Sequence, residues 1–461
     1  MTSPSYQPIA RIGIACITVA ALVPLCQSPG AVDAATRNRR VARPNILIIV
    51  TDDQRAGTLR SMPKTRRWFK RGGKNYTQAY ATTPLCCPSR ASILTGRYAH
   101  NHRVKRNVMG HRLNHATTIE RRLDAAGYTT AIAGKFLNAW KPEKDPPHFD
   151  RWAVFNPYLD PGYYHTRFNV NGVMRRVNRY STDFIARRAT RWLRRFESHD
   201  SSPWFMYLAP YGPHDPYVPA HRHMHSSVPQ WRANAGIREG GREDKPAWVR
   251  ARNETWERAR HVATRQHRTL KSVDDLVGLV LRRMGRLNER KRTLAFFLSD
   301  NGYLWGEHGL MGKRAPYTPS VRIPLLARWP GHIGRGTRSH ALAANIDIAP
   351  TILDAARLTP GAMKVDGRSL FSSRRRTHLL LEFFHELRVP SWSSIRTPRA
   401  QYIEYYGRHG RVTFRELYNT ERDPWQLHNR WRQRREFKAG RASRLRAVLS
   451  AARHCSGSRC P

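Results

Sequence analysis

Two apolar segments of the chain run directly into residues that can bind a cation. The segment NILIIV precedes Asp52 and Asp53, and TLAFFL leads through Ser299 to Asp300 and Asn301. Carboxylate and amide oxygens are the ligands that hard cations such as Ca²⁺ and Mg²⁺ prefer, and nothing soft accompanies them for zinc. A helix cap or turn is the alternative for either pair alone. Three carboxylates at one place repel one another, so a bound cation is the simplest way to stabilise them.

Two further apolar segments lead to basic groups. TTAIAG runs into Lys135, and WFMYLAP leads to His214 within YGPHDP. Such segments alternate with helical patterns, which favours a parallel α/β sheet. In open sheets of this class ligands bind outside the carboxyl ends of the strands. We therefore expect all four segment ends to meet at one edge of the sheet.

Adjacent cysteines, Cys86 and Cys87, open the helical pattern CCPSRASIL. Pro88 suits the first turn of a helix, which places both cysteines at a helix N-terminus, where free N–H groups and the macrodipole favour an anion. A structural cysteine, a disulfide and a thiolate nucleophile of low pKa all fit this position. The residues alone do not choose between these interpretations, nor between the two cysteines.

The composition adds a strong positive charge. The 461 residues include 81 Lys and Arg against 33 Asp and Glu, a formal net charge of +48. Such an excess favours a polyanionic partner, with an arginine-rich solvated surface as the alternative. The basic clusters are scattered, and no zinc-finger or glycine-aromatic RNA-binding motif accompanies them. We therefore expect no nucleic-acid partner and retain attraction toward anionic substrates.

The N-terminus is typical of a secretory signal peptide over residues 1–35. Arg11 precedes a short apolar stretch, and small residues follow near Ala34. An uncleaved anchor and a lipidated Cys26 are the alternatives. The apolar stretch is short for a membrane span, which argues against the anchor. We expect a secreted or cell-envelope protein with no membrane span after cleavage. In an exported protein Cys455 and Cys460 are expected to form a disulfide.

The segment CCPSRASILTGR resembles the sulfatase signature, C-x-P-S-R followed by an apolar pair and T-G-R. RPNILIIVTDDQ and SDNGYLWGEHGLMGKRAPYTPSVRIPLL are similar to the two metal-binding turns of that family. Within the family, LCCPSRASILTGRYAHNH, AGKFLN, SVDDLV and CSGSRC look closest to N-acetylglucosamine-6-sulfatases. The signature cysteine is Cys86, which in this family is oxidised after synthesis to formylglycine (3-oxoalanine), an aldehyde whose hydrate is the nucleophile.

The resemblance implies an α/β fold of the alkaline-phosphatase-like kind, with a mostly parallel central sheet sandwiched by helices. A smaller C-terminal α+β subdomain with an antiparallel sheet is expected to follow. We place the catalytic domain at residues 42–370 and the subdomain at 371–461. In the subdomain HLLLEFF, QYIEYYG and VTFRELYN predict strands, and a basic helix is predicted from about Pro424.

The resemblance also implies roles for individual residues. Ca²⁺, rather than Mg²⁺, is expected on Asp52, Asp53, Asp300, Asn301 and the modified Cys86. The implied catalytic set is Cys86, Arg90, Lys135, His214, Lys313 and His308: Arg90 supports the formylglycine, the lysines hold sulfate oxygens, and His214 contacts the leaving oxygen. Many sulfatases carry a histidine two residues after the first lysine, where this chain has Leu137, followed by Asn138. His100 and His102 are therefore candidates for the missing proton acceptor, with packing beside the helix as the alternative.

The predicted function is hydrolysis of a sulfate monoester, a 6-O-sulfate on glucosamine or a related sulfated glycan. A formylglycine-generating enzyme is the implied partner. A phosphate or phosphonate monoester hydrolase of the same superfamily is the first alternative. An inactive basic protein that binds polyanions is the alternative of another class.

Overall fold

The central sheet of the protein contains ten strands. The computed structural model describes residues 43–160, 162–198, 202–431, 433 and 440–461, so the predicted signal peptide, with Cys26, lies outside the described residues. In the described part, β-structure comprises β1 (Asn45–Thr51), β2 (Lys74–Tyr80), β3 (Thr129–Lys135), β4 (Arg151–Phe155), β5 (Thr166–Val170), β6 (Val173–Val177), β7 (Trp204–Ala209), β8 (Thr293–Ser299), β9 (Leu304–Trp305), β10 (Met311–Gly312), β11 (Leu325–Arg328), β12 (Thr337–Ala344), β13 (Leu379–Phe383), β14 (Ser391–Arg396), β15 (Ala400–Tyr406) and β16 (Val412–Asn419).

The strand order of the large sheet is β12-β2-β11-β8-β1-β7-β3-β4-β5-β6. The block β8-β1-β7-β3-β4 is parallel throughout, whereas β11, β5 and β6 pair antiparallel with their neighbours. The four apolar segments identified in the sequence are β1, β3, β7 and β8, and they are adjacent in the sheet. The predicted mostly parallel α/β sheet is confirmed.

Side chains of the central strands are buried on both faces of the sheet. Along β1, Ile46, Ile48 and Val50 enter one hydrophobic cluster, while Leu47 and Ile49 enter the cluster on the other face. This explains why the strand reads as a continuous apolar run, since a parallel sheet covered on both sides has no solvent-facing side chains. The predicted sandwich of helices around the sheet is thus present.

Ten α-helices cover these faces and the small sheet. They are α1 (Pro63–Thr65), α2 (Cys86–Thr95), α3 (Ala99–His102), α4 (Ile119–Asp124), α5 (Ser181–Glu197), α6 (Ala247–Arg250), α7 (Trp256–Arg286), α8 (Thr318–Val321), α9 (Ile348–Ala355) and α10 (Arg441–Ala452) in the described residues. Apolar residues of α2, α4 and α9 pack on one face of the large sheet, and those of α5 and α7 pack on the other. None of the helices in the described part of the chain is sufficiently long and apolar to cross a bilayer.

A second sheet, β13-β14-β15-β16, is antiparallel and has its own hydrophobic cluster. Three of its strands match the predicted segments, and β14 was not predicted. Cys455 and Cys460 form a disulfide, as expected. Residues Arg43–Pro461 form one compact unit, and the domain boundary at residue 370 stays a prediction.

The helix predicted from about Pro424 is wrong in its start, because the helix in the described residues begins at Arg441. The backbone N–H groups of Leu427 and His428 donate to the carboxylate of Asp423, at 3.0 and 2.9 Å. Gln426 has a φ of 62°, in the left-handed region. A side-chain acceptor therefore stabilises a turn at this point, where the charge pattern indicated a helix.

Candidate active site

The ends of β1, β8, β3 and β7 meet at one edge of the large sheet. Asp52 and Asp53 follow β1, Asp300 and Asn301 follow β8, Lys135 ends β3, and His214 lies beyond β7. The backbone N–H of Asp53 donates to Asp300 Oδ1 at 3.1 Å, which joins the two acidic turns directly. The parallel register therefore brings these side chains together, as the strand order requires.

One buried polar atom of the two acidic turns has no hydrogen-bond partner among the described residues. Asn301 Nδ2 donates to Asp53 Oδ1 at 2.7 Å, which fixes the orientation of the amide. Its other atom, Asn301 Oδ1, is buried without a hydrogen-bond partner in the described structure. Asp53 has a φ of 66°, a left-handed conformation that aspartate tolerates better than most side chains. Buried carboxylate oxygens beside an unpaired amide oxygen match the ligand chemistry of a hard cation.

Three basic side chains neutralise the carboxylates. Lys135 Nζ lies 2.5 Å from Asp52 Oδ2. Arg90 Nε donates to Asp300 Oδ2 at 2.9 Å, and its Nη2 lies 3.4 Å from Asp52 Oδ2 without a hydrogen bond. Lys313 Nζ contacts Asp53 Oδ1 and lies 2.7 Å from Cys86 Sγ. Lys135 and Arg90 have no exposed surface, so these charges interact in a medium of low dielectric.

The pKa values of the carboxylates in this cluster are shifted in opposite directions. Burial acts to raise the pKa of Asp52, but Lys135, His214 and Arg90 outweigh it and lower this pKa. Burial and the neighbouring Asp52 together raise the pKa of Asp300 to about 6, although Arg90 opposes them. The cluster thus concentrates negative charge on the β1 turn, nearest to Cys86.

Cys86 is the first residue of α2 and is fully buried. Its Sγ lies 3.3 Å from Asp52 Oδ1 and 3.8 Å from Asp53 Oδ1. Burial, then the Asp52 carboxylate, raise the pKa of the Cys86 thiol well above its usual value. Both Cys86 and Cys87 are free thiols. Cys86 therefore forms no disulfide, and its burial disfavours the thiolate form.

Cys87 points away from this cluster. Its Sγ donates weakly to the carbonyl oxygen of Asn138 at 3.9 Å, and burial raises its pKa to about 12. Ser89 Oγ, one helical turn further, donates to the carbonyl of Asp300 and accepts from Asn345 Nδ2 at 2.8 Å. The start of α2 is therefore fixed against the β8 turn by a serine whose role the sequence did not reveal.

His214 lies at the partly exposed rim of the cluster. Its Nε2 is 3.7 Å from Asp53 Oδ2, and its Nδ1 is 2.8 Å from the carbonyl oxygen of Asp215. The ring stacks on Tyr211 with 4.8 Å between centroids, and Tyr163 Oη donates to the His214 carbonyl at 2.5 Å. Burial lowers the pKa of His214 even though Asp52 and Asp53 raise it. These tyrosines were missed, although Tyr211 stands in the quoted segment YGPHDP.

The other predicted histidines bind elsewhere. His308 Nδ1 lies 2.9 Å from Glu239 Oε2, and its ring packs 4.2 Å from that of Tyr317. His100 has both ring nitrogens engaged, at 2.9 Å from Glu382 Oε2 and 2.9 Å from the Cys455 carbonyl. The packing alternative therefore describes His100 better than proton transfer does.

His102 and Leu137 also face the interior. His102 contacts Ser92 Oγ and the Val104 N–H through its two ring nitrogens, at 3.0 and 3.1 Å. Burial lowers the pKa of His102 to about 3. Leu137 is fully buried in the cluster that packs on the large sheet. The position of the expected histidine is therefore occupied by a core side chain.

A further feature that the sequence analysis did not predict stabilises the β1 turn. Arg55, two residues after Asp53, forms a bidentate pair with Glu307 at 2.7 and 3.1 Å. Its guanidinium contacts the rings of Trp231 and Trp305, at 4.7 and 4.8 Å from their centroids, and the two rings also pack against each other. The signal was available, because an arginine and a glutamate each follow one of the two acidic turns.

Comparison with known proteins identifies the family of the chain. Residues 44–358 match the family model described as Sulfatase, and residues 306–451 match the model N-sulphoglucosamine sulphohydrolase, C-terminal. The putative extracellular sulfatase Sulf-1 homolog of Caenorhabditis elegans is 33% identical over 350 residues, 71% of this chain and 48% of that protein. The N-acetylglucosamine-6-sulfatase of Capra hircus is 30% identical over 462 residues, 84% of this chain and 80% of that protein. The chain thus spans about half the length of the first of these relatives.

Solved structures share the fold. One, of a protein in complex with its substrate D-glucosamine-2-N,6-O-disulfate, has a TM-score of 0.77 at 23% identity and covers 88% of this chain and 97% of that chain. The phosphonate monoester hydrolase of Agrobacterium radiobacter has a TM-score of 0.68 at 21% identity, with 90% and 96% covered. The predicted alkaline-phosphatase-like fold is confirmed by these likenesses, which do not separate the two chemistries. Because the Sulfatase model covers residues 44–358, more than half of the chain, the protein belongs to the sulfatase family.

Proposed function

We propose that the protein hydrolyses a sulfate monoester, a 6-O-sulfate on glucosamine or a related sulfated glycan. One observation carries the proposal: Cys86, Lys135, Lys313 and Arg90 converge on three buried carboxylates at one sheet edge. The names of the relatives support the substrate class, since both are sulfatases and one acts on N-acetylglucosamine 6-sulfate groups by its name.

Asp52, Asp53, Asp300 and Asn301 are the proposed ligands of Ca²⁺, together with the modified Cys86. Support comes from the unpaired Oδ1 of Asn301 and from the convergence of Asp52, Asp53, Cys86 and His214, whose possible ligand atoms lie within 4.8 Å of one another. When bound, the cation neutralises sulfate oxygens and lowers the pKa of a coordinated hydroxyl group. The two turns are already joined by the Asp53 to Asp300 hydrogen bond, so little rearrangement is needed to present the oxygens.

The basic side chains are proposed to bind the sulfate group. Charge on a sulfate ester is spread over its oxygens and repels an anionic nucleophile, so fixed cations around it lower the barrier. Lys313 lies beside Cys86, and Lys135 beside Asp52, so the two lysines approach the sulfate position from different sides. Arg90 supports the base of the site through Asp300 and the Lys135 carbonyl, at 2.9 and 2.8 Å.

His214 is proposed to protonate the leaving alcohol oxygen. It is the partly exposed member of the site, and it faces Asp53 from the rim where a sugar ring enters. The contact of Nδ1 with the Asp215 carbonyl makes Nδ1 a hydrogen-bond donor, so Nε2 carries a proton for the substrate only in the imidazolium form, which the carboxylates of Asp52 and Asp53 favour. This geometry suits general acid catalysis at the bond to the sugar.

Formylglycine at position 86 is part of the proposal, and it requires a formylglycine-generating enzyme as partner. The hydrated aldehyde supplies a hydroxyl nucleophile and a second hydroxyl that releases the sulfate. A plain thiol fits this position poorly as a nucleophile, because its raised pKa keeps it protonated at neutral pH. Secretion is proposed as well, since one relative is named an extracellular sulfatase.

Sulfate release tests the proposal. Protein produced with a formylglycine-generating enzyme is expected to release sulfate from N-acetylglucosamine 6-sulfate in Ca²⁺ buffer, and Cys86→Ala is expected to release none. Cys87→Ala is the matched control and should retain activity, because Cys87 faces Asn138. Mass spectrometry of the peptide containing Cys86 should show the aldehyde in active protein. An active enzyme with an unmodified thiol contradicts the mechanism.

The alternatives have their own outcomes. Faster turnover of 4-nitrophenyl phosphate or a phosphonate ester than of 4-nitrophenyl sulfate favours the phosphonate hydrolase, with which the chain shares its fold. Salt-sensitive binding of sulfated glycans without sulfate release, by protein shown to carry the aldehyde, favours an inactive binder.

A further inference from the structure

A cavity of about 380 Å³ opens beside Lys313, next to the proposed sulfate position. One wall comes from α6 and the residues after it, another from the segment that follows β10, and a third from the loop between β13 and β14. Lys313 belongs to both sites, since its Nζ contacts Asp53 and Cys86 while its stem lines this cavity. The cavity and the proposed sulfate position therefore share the side chain of Lys313.

The charge of the cavity wall is positive. Its charged residues are Arg252, Glu254, Lys313, Arg314 and Arg388. The carboxylate of Glu254 lies 3.4 Å from Arg258, outside this wall, so it does not neutralise the arginines. Guanidinium groups bind carboxylate and sulfate oxygens through paired hydrogen bonds. An anionic group is thus the ligand that this wall suits.

Arg314 has a constrained main-chain conformation. Its φ of 81° is in the left-handed region, where a non-glycine residue is strained. Its N–H donates to the Pro84 carbonyl at 3.2 Å, and its carbonyl accepts from Trp392 Nε1 at 2.7 Å. Main-chain contacts on both sides therefore maintain a conformation that costs energy, as often occurs at binding sites.

The guanidinium of Arg314 is incompletely paired. Its Nε is buried with no hydrogen-bond partner among the described residues. The carboxylate of Glu386 is 3.9 Å from its Nη2, beyond hydrogen-bond distance. Glu386 is itself held by the N–H of Asn107, at 3.0 Å from Oε2. Because Arg314 lines the cavity and its side chain is 25% exposed, the terminal nitrogens of the guanidinium, rather than the buried Nε, are the donors available to a ligand there.

We propose that Arg314 and the cavity around it form a second anion-binding subsite, which recognises a sulfate or carboxylate group on the same substrate as the ester being cleaved. This inference rests on the proposed function, because it concerns the substrate of that site. The second anion belongs either to the same sugar ring or to a neighbouring uronic acid. The enzyme is then selective for polyanionic glycans over sugars with one sulfate.

Kinetics with matched substrates test the subsite. We compare N-acetylglucosamine 6-sulfate with glucosamine 2-N,6-O-disulfate, and with a disaccharide that joins a uronic acid to 6-sulfated N-acetylglucosamine. Wild-type kcat/KM is expected to be higher for one of the two dianionic substrates, and which one is preferred identifies the source of the second anion. In Arg314→Gln this preference should fall roughly tenfold, mainly through KM, because a charge-assisted pair is lost.

Two further variants keep the interpretation specific. Arg314→Lys retains the charge without the planar fork and should keep part of the preference. Arg260→Gln removes an exposed arginine of α7 that lies outside this cavity, and it should leave the preference unchanged. An Arg314→Gln effect that is equal for all three substrates, or absent, overturns the inference.

Binding separates this inference from the proposed function. Calorimetry with Cys86→Ala measures, without turnover, the affinity for the dianionic substrate that the kinetics identify as preferred. The added Arg314→Gln substitution is expected to weaken that affinity about tenfold, which also makes the Arg314 contribution independent of catalysis. If wild-type protein releases no sulfate, the proposed function fails, whereas equal affinity of the two Cys86→Ala proteins overturns the subsite alone.

Discussion

The sheet edge and the four-stranded sheet satisfy their buried carboxylates differently. At the sheet edge, Asp52, Asp53 and Asp300 face two lysines and an arginine. Inside the four-stranded sheet, Glu416 is equally buried but accepts hydrogen bonds from three tyrosine hydroxyls. These are Tyr317 at 3.0 Å, Tyr418 at 2.9 Å and Tyr405 at 2.7 Å.

The two clusters differ in whether their buried polar atoms all have hydrogen-bond partners, and this difference separates a candidate functional cluster from a structural one. Both oxygens of Glu416 have partners, so the site is complete as folded. Within the described part of the chain, the sheet edge leaves Asn301 Oδ1 and Arg90 Nη2 without hydrogen bonds, although both atoms are buried. Unpaired buried groups cost free energy, so where they occur within a cluster of buried charges a bound ligand is the simplest way to complete them.

The largest expected effect separates two buried lysines. Lys313→Met should reduce kcat/KM for a sulfate ester about a thousandfold, because a fixed cation at the developing charge is lost. Lys245, which contacts Asp244 at 2.6 Å and lies 5.6 Å from the Tyr418 ring, is the matched control. Lys245→Met should lower the stability and leave turnover per folded molecule within about twofold of wild type. Similar kinetic losses in both variants would remove the distinction between the regions.

The second effect concerns Glu416. Glu416→Ala should destabilise the protein by about 3 kcal/mol in urea, since three buried tyrosine hydroxyls lose their acceptor. Glu416→Gln keeps one acceptor oxygen and should cost less. Sulfate release per folded molecule should persist in both variants. A loss of catalysis without a loss of stability would show that this cluster belongs to the active site.

A further buried carboxylate, that of Glu120, has neither a basic side chain nor a tyrosine hydroxyl as partner among the described residues. Glu120 on α4 is fully buried, and no hydrogen bond to its carboxylate oxygens occurs within the described structure. Burial raises its pKa to about 8 from the ordinary value of 4.5. The folded state therefore binds a proton that the unfolded state has released, and stability falls as pH rises from 4.5 to 8.

Glu120→Gln removes this titration. The difference in unfolding free energy between the variant and wild type should shift by about 1 to 3 kcal/mol in favour of the variant between pH 4.5 and pH 8. It should level off above pH 8, where Glu120 is ionised in both states. Urea titrations at several pH values measure it. A difference that does not change with pH would mean that Glu120 is solvated or paired in the folded protein.

The smallest effect compares two tyrosine hydroxyls. Tyr405→Phe removes a hydrogen bond to the Glu416 carboxylate and should cost about 1 to 2 kcal/mol. Tyr128→Phe removes one to the neutral Pro44 carbonyl, at 3.1 Å, and should cost about 1 kcal/mol or less. Thermal and urea unfolding of the two variants provide the comparison. Equal costs would indicate that the charge of Glu416 adds nothing.

Much of the fold was predictable from local pattern. The continuous apolar runs of β1, β3, β7 and β8 and the polar residues after them follow from a sheet covered on both faces. The strand order then brings Asp52, Asp300, Lys135 and His214 to one edge, as the sequence predicted. The signature segment directed attention to Cys86, which burial and charge alone did not identify.

The remaining parts depend on contacts that are distant in sequence. No local feature of the sequence distinguishes His100, His102 and His308 from His214. Their hydrogen-bond partners, Glu382, Ser92 and Glu239, place them outside the cluster. The strand β14, with the sequence SWSSIR, has little alternation and forms through pairing with β13 and β15. No local rule reveals such partners, because the pairing is decided by the completed core.

The burial of Cys86 constrains the timing of biosynthesis under the proposed function. The folded chain gives the Cys86 side chain no contact with solvent, and Lys313, which covers it, is made much later during translation. An oxidising partner must therefore reach this residue while the emerging polypeptide is still open. Molecules that fold before they are oxidised keep the thiol of Cys86. The active fraction of a preparation therefore depends on how slowly the nascent chain folds.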